Sequence, residues 1–232
     1  MAVDATTTGG TGAGTLGVLL AISLFADAQP ESLAAVAAAS RHRDLVRGDV
    51  LFHEGDTSDA LYIVTAGRIA MVMANPIDRR ESVVALMEPG DLFGEMGLLD
   101  EGPRSAMARA LEASAVVEVP FGPVRELFTA EPTLLWNVAR LLSLRLRVMD
   151  EVLADSVFLD VTGRTAKRLL ELAGDDDEFS LPVTQEELAG MVGASRERVN
   201  KSIATFVKLG WIDQYERTYR ILRRDQLELR AH

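Results

Sequence analysis

Arg196, Glu197, Arg198 and Lys201 fall within the first turns of one helix-like segment, and their types suit the reading of nucleic acid. An arginine can donate two parallel bonds to guanine, a carboxylate can accept from the amino group of cytosine, and a lysine one turn on can reach a base or a phosphate. The flanking residues would position them. Thr184 can cap a first helix, with Glu187 completing a capping box. Leu188, Met191 and Val192 give that helix an apolar face. Gly193 supplies a tight turn and Ser195 caps the second helix, on which Val199, Ile203, Phe206 and Val207 form the packing face. Residues 184–201 therefore read as a helix-turn-helix that presents the start of its second helix to a major groove. The candidate DNA contacts are Thr184, Gln185, Ser195, Arg196, Glu197, Arg198 and Lys201, with Arg217 beyond them. An αα-hairpin with a solvated charged face is the alternative for the same pattern.

A second constellation runs from Phe93 to Ala106. Gly94-Glu95 suggests a short helix whose first amides could hold an anion. Inside a β-barrel, Arg104 would need an anionic partner, and a phosphodiester suits its planar fork. Ser105 and Ala106 follow as the next strand opens, and Glu95 could accept a hydrogen bond from a sugar hydroxyl. An internal Arg104–Glu95 salt bridge without ligand fits the same residues.

The elements that must position these groups form a simple plan. At 232 residues the chain has length for two domains. Between Leu45 and Pro120, short apolar runs (50–52, 61–64, 69–73, 83–87, 115–119) alternate with the turn signals Arg47-Gly48-Asp49, Glu54-Gly55-Asp56, Ala66-Gly67-Arg68 and Pro89-Gly90-Asp91. That rhythm predicts an all-β barrel or sandwich. Residues 133–156 contain neither Gly nor Pro and predict one long helix of about 36 Å. Leu135, Ala139, Leu142, Leu146, Met149 and Leu153 form a heptad seam. A second row, Leu134, Val138, Leu141, Val148 and Val152, can cover the barrel while the seam meets a symmetry mate. Segments 211–215 and 218–222 flank Glu216-Arg217 as a hairpin wing, where Arg217 and Arg220 are candidate phosphate contacts.

Composition excludes several classes. The absence of cysteine rules out disulfides, thiol redox chemistry and cysteine-ligated clusters. Three histidines without a second ligand at metal-like spacing predict no metal site. No cysteine–histidine pair, Gly-x-Ser-x-Gly or Walker loop supports catalysis, so no enzyme is expected. No apolar run approaches the roughly 20 residues that span a bilayer. The stretch 16–25 lacks the basic flank of a signal peptide and is expected as a short amphipathic helix in a cytoplasmic protein. Net charge is −11, of which residues 1–159 carry −10, while 184–224 carry +3. A local patch, not the total, governs attraction to phosphate.

The segment Gly94-Glu95 … Leu98 … Arg104-Ser105-Ala106 resembles the phosphate-binding cassette of cyclic-nucleotide-binding domains. Its pairing with a C-terminal helix-turn-helix resembles the CRP/FNR family of bacterial transcription regulators, across roughly residues 16–227, and Phe158–Arg164 resembles that family's hinge. The resemblance implies an α+β chain. Its parts are a flexible tail (1–15), a β-roll or jelly-roll sensor (16–132), a dimerisation helix (133–158) and a winged helix-turn-helix (159–232). It implies that Glu95 binds a ribose 2′-hydroxyl, Arg104 the cyclic phosphate and Ser105 the same phosphate. It places base contacts on Arg196, Glu197 and Lys201. Where cyclic-AMP-responsive members carry Thr-Ser, this chain has Met149-Asp150: methionine cannot replace a hydroxyl, and Asp150 could accept from adenine or guanine or remain a solvated charge. The expected function is a homodimeric, allosterically gated DNA-binding regulator with cyclic AMP or cyclic GMP as effector, no required cofactor, a palindromic duplex site and RNA polymerase as a further partner. A ligand-independent regulator, or a sensor whose helical tail binds protein, are the alternatives.

Overall fold

The computed structural model describes residues 12–76 and 81–232, so most of the expected tail lies outside the described residues. Its elements in chain order are α1 (Gly12–Ala21), a 3-10 turn (Ser23–Phe25), α2 (Pro30–Ala39), β1 (Arg41–Leu45), β2 (Val50–Phe52), β3 (Ala60–Ala66), β4 (Ile69–Ala74), β5 (Glu81–Met87), β6 (Leu92–Phe93), α3 (Met96–Asp100), β7 (Met107–Ala110), β8 (Ser114–Pro120) and α4 (Phe121–Ala130). A 3-10 turn (Pro132–Leu134) leads into α5 (Leu135–Phe158), followed by α6 (Val161–Ala173), β9 (Glu178–Ser180), α7 (Gln185–Val192), α8 (Arg196–Lys208), β10 (Ile212–Tyr215), β11 (Thr218–Ile221) and α9 (Arg224–Arg230). The chain divides into two compact units: one comprises the described residues up to Met71 with Leu86–Leu144, the other Val72–Ala85 with Arg145–His232.

Two four-stranded sheets, ordered β1-β8-β3-β6 and β2-β7-β4-β5, make the expected β-roll. All four glycines of the predicted turns (Gly48, Gly55, Gly67, Gly90) adopt positive φ. At Gly67 the need is doubled, because a β-carbon there would collide with Ser114. Strand β1 was absent from the expectation: its sequence, RHRDL, is exposed except at Leu45, and only pairing with β8 makes it a strand. An Arg43–Glu118 pair at 3.1 Å spans the two strands.

The core beneath one sheet joins Leu61, Ile63, Val117 and Val119 to Leu19 and Phe25, to Leu33 and Val36 of α2, to Val124 and Leu127 of α4, and to Leu134 and Val138. Each such side chain, fully buried, contributes roughly 1.5–3 kcal/mol. This corrects the N-terminal boundary. Helix α1 begins at Gly12, inside the stretch expected as tail, and Thr15 is 2 % exposed with its hydroxyl 2.9 Å from His42 Nε2. The segment is thus a core element: Leu19 is fully buried, Leu16 and Val18 pack against the same core, and Leu20 faces outward.

Helix α5 starts two residues later than expected, because Glu131-Pro132 diverts the chain into a 3-10 turn first. The second apolar row behaves as predicted at its start, where Leu134, Val138 and Leu141 join the core. The heptad seam is exposed at Leu135, Leu142, Leu146, Met149 and Leu153. No helix among the described residues is long and apolar enough to cross a membrane.

Candidate ligand pocket and nucleic-acid interface

Gly94 turns the chain between β6 and α3 with φ +77°, and its carbonyl accepts a 2.9 Å bond from Arg104 Nη1. A β-carbon at this glycine would meet that nitrogen at 2.7 Å, so the cassette glycine also makes room for the arginine. Glu95 follows at the N-cap of α3 and is 1 % exposed. Arg104 is 5 % exposed, although its charge favours water.

What keeps Arg104 there is an aromatic box. Its guanidinium carbon lies 4.2 Å from the ring centroid of Phe52, 5.4 Å from Tyr62 and 6.0 Å from Phe121. Phe52, Tyr62 and Phe93 pack on one another at 5.4–6.2 Å. Arg104 Nη2 stands 3.7 Å from the exposed carboxylate of Asp59. Its Nε–H is buried without an acceptor among the described residues. Burial lowers the guanidinium pKa from its ordinary value and raises that of the Tyr62 phenol. Since arginine stays protonated in proteins, the result is a fixed, partly desolvated cation whose buried Nε–H is unspent. The backbone locks it further: Arg104 N donates to Asp56 O at 2.9 Å, and Gly55 N donates to Arg104 O at 2.8 Å.

Ser105 is exposed, its hydroxyl 3.4 Å from Met96 Sδ, while Ala106 is buried. Gly94, Glu95, Arg104, Ser105 and Ala106 are thereby gathered by one glycine turn and one strand start. Met149, 67 % exposed, and Asp150 stand on the part of α5 that belongs to the second unit. Phe52, Tyr62, Phe121 and Asp59 went unread as site residues: two of them lie in strands that scan as ordinary core.

In the second unit the reader folds as its caps dictate. Thr184 Oγ1 accepts from Glu187 N at 3.2 Å while Glu187 Oε2 accepts from Thr184 N at 2.7 Å, completing the capping box. Gly193 adopts the left-handed conformation (φ 68°, ψ 42°), and Ser195 Oγ accepts from Arg198 N at 3.4 Å. Val199, Ile203 and Phe206 are buried as expected, whereas Val207 is 39 % exposed and is no part of the packing face. Arg196, Glu197, Arg198 and Lys201 are exposed, and the three cations have no ion-pair partner among the described residues. A groove of about 310 Å³ beside them is lined by Asp160, Val161, Thr162, Arg198, Lys201, Ser202 and Thr205. At one end Asp160 caps α6, accepting from Gly163 N at 2.8 Å and pairing with Arg230 of α9. Those bonds depress the Asp160 pKa. Helix α9 and this pairing were not anticipated; Arg230 lies 70 positions away and gives no local signal.

The positive patch is smaller than the sequence suggests. Acidic residues outside 184–224 pair with its arginines: Arg220 with Glu178 at 2.6 Å, Arg223 with Asp225 at 3.0 Å and Arg224 with Asp177 at 3.3 Å. Glu178 opens β9, a third strand beside the predicted wing. Arg217 donates to the carbonyls of Leu181 and Val183 at 3.0 and 3.1 Å. Gln185 is half-buried, its amide nitrogen 2.7 Å from the Tyr219 hydroxyl.

The cyclic nucleotide-binding domain family matches residues 42–131, and the Crp-like helix-turn-helix domain family matches residues 163–230. A CRP-like cAMP-activated global transcriptional regulator of Mycobacterium tuberculosis is 37 % identical over 202 residues, covering 84 % of this chain and 90 % of that protein. The catabolite activator protein of Thermus thermophilus is 32 % identical with a TM-score of 0.51, covering 90 % of this chain and 98 % of that one. A c-di-GMP-responsive global regulator of Xanthomonas campestris is 25 % identical with a TM-score of 0.71, covering 83 % and 99 %.

Proposed function

The chain belongs to the CRP/FNR family of transcription regulators, and from that premise we propose that it is a homodimer whose binding to a palindromic DNA site is gated by a cyclic nucleotide. The observation that carries the effector reading is Arg104: a buried guanidinium, held on Phe52 and by Gly94 O, with its Nε–H still lacking an acceptor. An organic phosphodiester supplies that acceptor and an opposite charge in a partly dry site, where charge-assisted bonds are strongest. Glu95 would take the ribose hydroxyl and Ser105 a phosphate oxygen. Met149-Asp150 stands where the family resemblance implies the hydroxyl pair of cyclic-AMP-responsive members, so base preference need not follow theirs.

Cyclic AMP is the first candidate because the M. tuberculosis relative is named as cAMP-activated; the X. campestris relative, named as c-di-GMP-responsive, adds a cyclic dinucleotide to the effectors to be tested. Bound nucleotide would favour one arrangement of paired α5 helices and so set the spacing of two readers. Arg196 and Glu197 would read base edges, and Lys201 a base or phosphate. Thr184, Ser195 and Arg198 would hold backbone phosphates, with the groove at Asp160–Thr162 admitting one. The two half-sites would lie about 10–10.5 base pairs apart. Such a regulator works in the cytoplasm and acts with RNA polymerase.

Isothermal calorimetry of the full chain against cyclic AMP, cyclic GMP and cyclic di-GMP tests the effector. One ligand should bind, and Arg104→Leu should weaken it by roughly 1.5–3 kcal/mol, about ten- to a hundredfold. Flat traces for all three would remove the effector and leave a ligand-independent regulator with Arg104 paired to Asp59.

A further inference from the structure

The wing of a winged helix is the natural place for a phosphate-binding arm, yet its two arginines are engaged elsewhere. Arg220 donates from Nε and Nη2 to one oxygen of Glu178, Oε2, at 2.8 and 2.6 Å. Arg217, in the two-residue turn between β10 and β11, directs one amino group at two main-chain carbonyls, Leu181 O and Val183 O. Its own carbonyl accepts from Leu181 N at 2.9 Å. Leu181 and Val183 are buried, and Pro182 between them has no N–H. Two residues along β11, the buried ring of Tyr219 packs 5.7 Å from Phe179, and its hydroxyl accepts from the Gln185 amide. Residues 181, 183 and 185, the approach to α7, are therefore gripped from residues 217 and 219.

We propose that this wing is a brace: Arg217 and Tyr219 are positioning residues that fix the N-terminus of α7, and with it the angle at which the reader is presented, without themselves contacting phosphate. Removing the guanidinium strips both carbonyls of their shared donor at buried residues, where an unmade hydrogen bond is costly. The capping box at Thr184–Glu187 would then close on a looser chain. Affinity for DNA falls through geometry, while the number of cations at the phosphates, and so of counterions released, does not change. The proposal rests on the DNA-binding reading of α7 and α8.

Two measurements on the full-length protein test it. In the DNA-free state, Arg217→Ala and Tyr219→Phe should each speed amide hydrogen exchange at Glu187 and Leu188 by about tenfold. Exchange like that of the wild type in both variants overturns the brace. On a duplex selected from a random pool by the wild-type protein, Arg217→Ala should weaken binding by about tenfold at every salt concentration with the slope of log K against log salt unchanged, whereas Lys201→Ala should reduce that slope by about one. A slope reduced by about one in Arg217→Ala, with Tyr219→Phe binding normally, makes the wing a phosphate arm and also overturns the proposal. Should Arg217→Ala fail to fold, Tyr219→Phe keeps the ring and carries both measurements. Failure to select any duplex counts against the DNA reading alone, because the exchange experiment decides the brace without DNA.

Discussion

Arg104 owes its orientation to residues that no local pattern couples to it. The sequence marks it through its neighbours in the motif, Gly94, Glu95 and Ser105, but Phe52, Tyr62 and Asp59 lie more than 40 positions upstream and reach it only once two sheets have formed. That is why the cassette was legible and its aromatic floor was not. Two expectations follow at this scale. Gly94→Ala should weaken effector binding more than it destabilises the fold, since the added methyl meets Arg104 Nη1 in a backbone conformation that favours glycine. Calorimetry beside a thermal melt separates the two effects; unchanged affinity would show that Arg104 need not stay where Gly94 holds it. At the reader, Arg196→Ala and Glu197→Ala should each cost about 1–3 kcal/mol on the preferred duplex and relax specificity at one base pair. A footprint with unaltered sequence preference would remove both residues from the base-reading set.

The elements whose signals are local were the readable ones. Thr184, Glu187, Gly193 and Ser195 lie within four residues of their partners, and each caps or turns the chain as its type requires. Strand β1 was unreadable because its exposed charges conceal a partner, β8, about 70 residues on. The Asp160–Arg230 pair hides in the same way, joining the start of α6 to the end of α9. Its pH behaviour has a definite sign. Because hydrogen bonding depresses the Asp160 pKa in the folded protein, its contribution to stability is present above the unfolded value near 3.9 and is lost as pH falls through the lower folded value. Asp160→Ala should therefore lower the melting temperature at neutral pH, with a cap loss of about 1 kcal/mol, and the difference from wild type should shrink in strong acid. A difference that persists undiminished at low pH would mean that the carboxylate charge is not what caps α6.

At the scale of the whole molecule, the unburied seam of α5 is the feature a single chain cannot account for. Leu142, Leu146, Met149 and Leu153 recur on one stripe and stand exposed, although equally apolar Leu134 and Val138 reach a core. A second copy would cover them. Leu146→Glu with Leu153→Glu should leave a monomer by sedimentation, with nucleotide binding reduced little and affinity for a palindromic duplex lost; a dimer that survives both charges would place the interface elsewhere. A self-associating reader also makes the central claim testable in one experiment. Fluorescence anisotropy of a selected duplex should be titrated with the full-length protein, with and without the nucleotide that calorimetry identifies, using wild type and Arg104→Leu. The account predicts DNA affinity at least about fivefold tighter with nucleotide in the wild type, and a smaller response in Arg104→Leu at the same nucleotide concentration. Identical wild-type curves with and without bound nucleotide would contradict it.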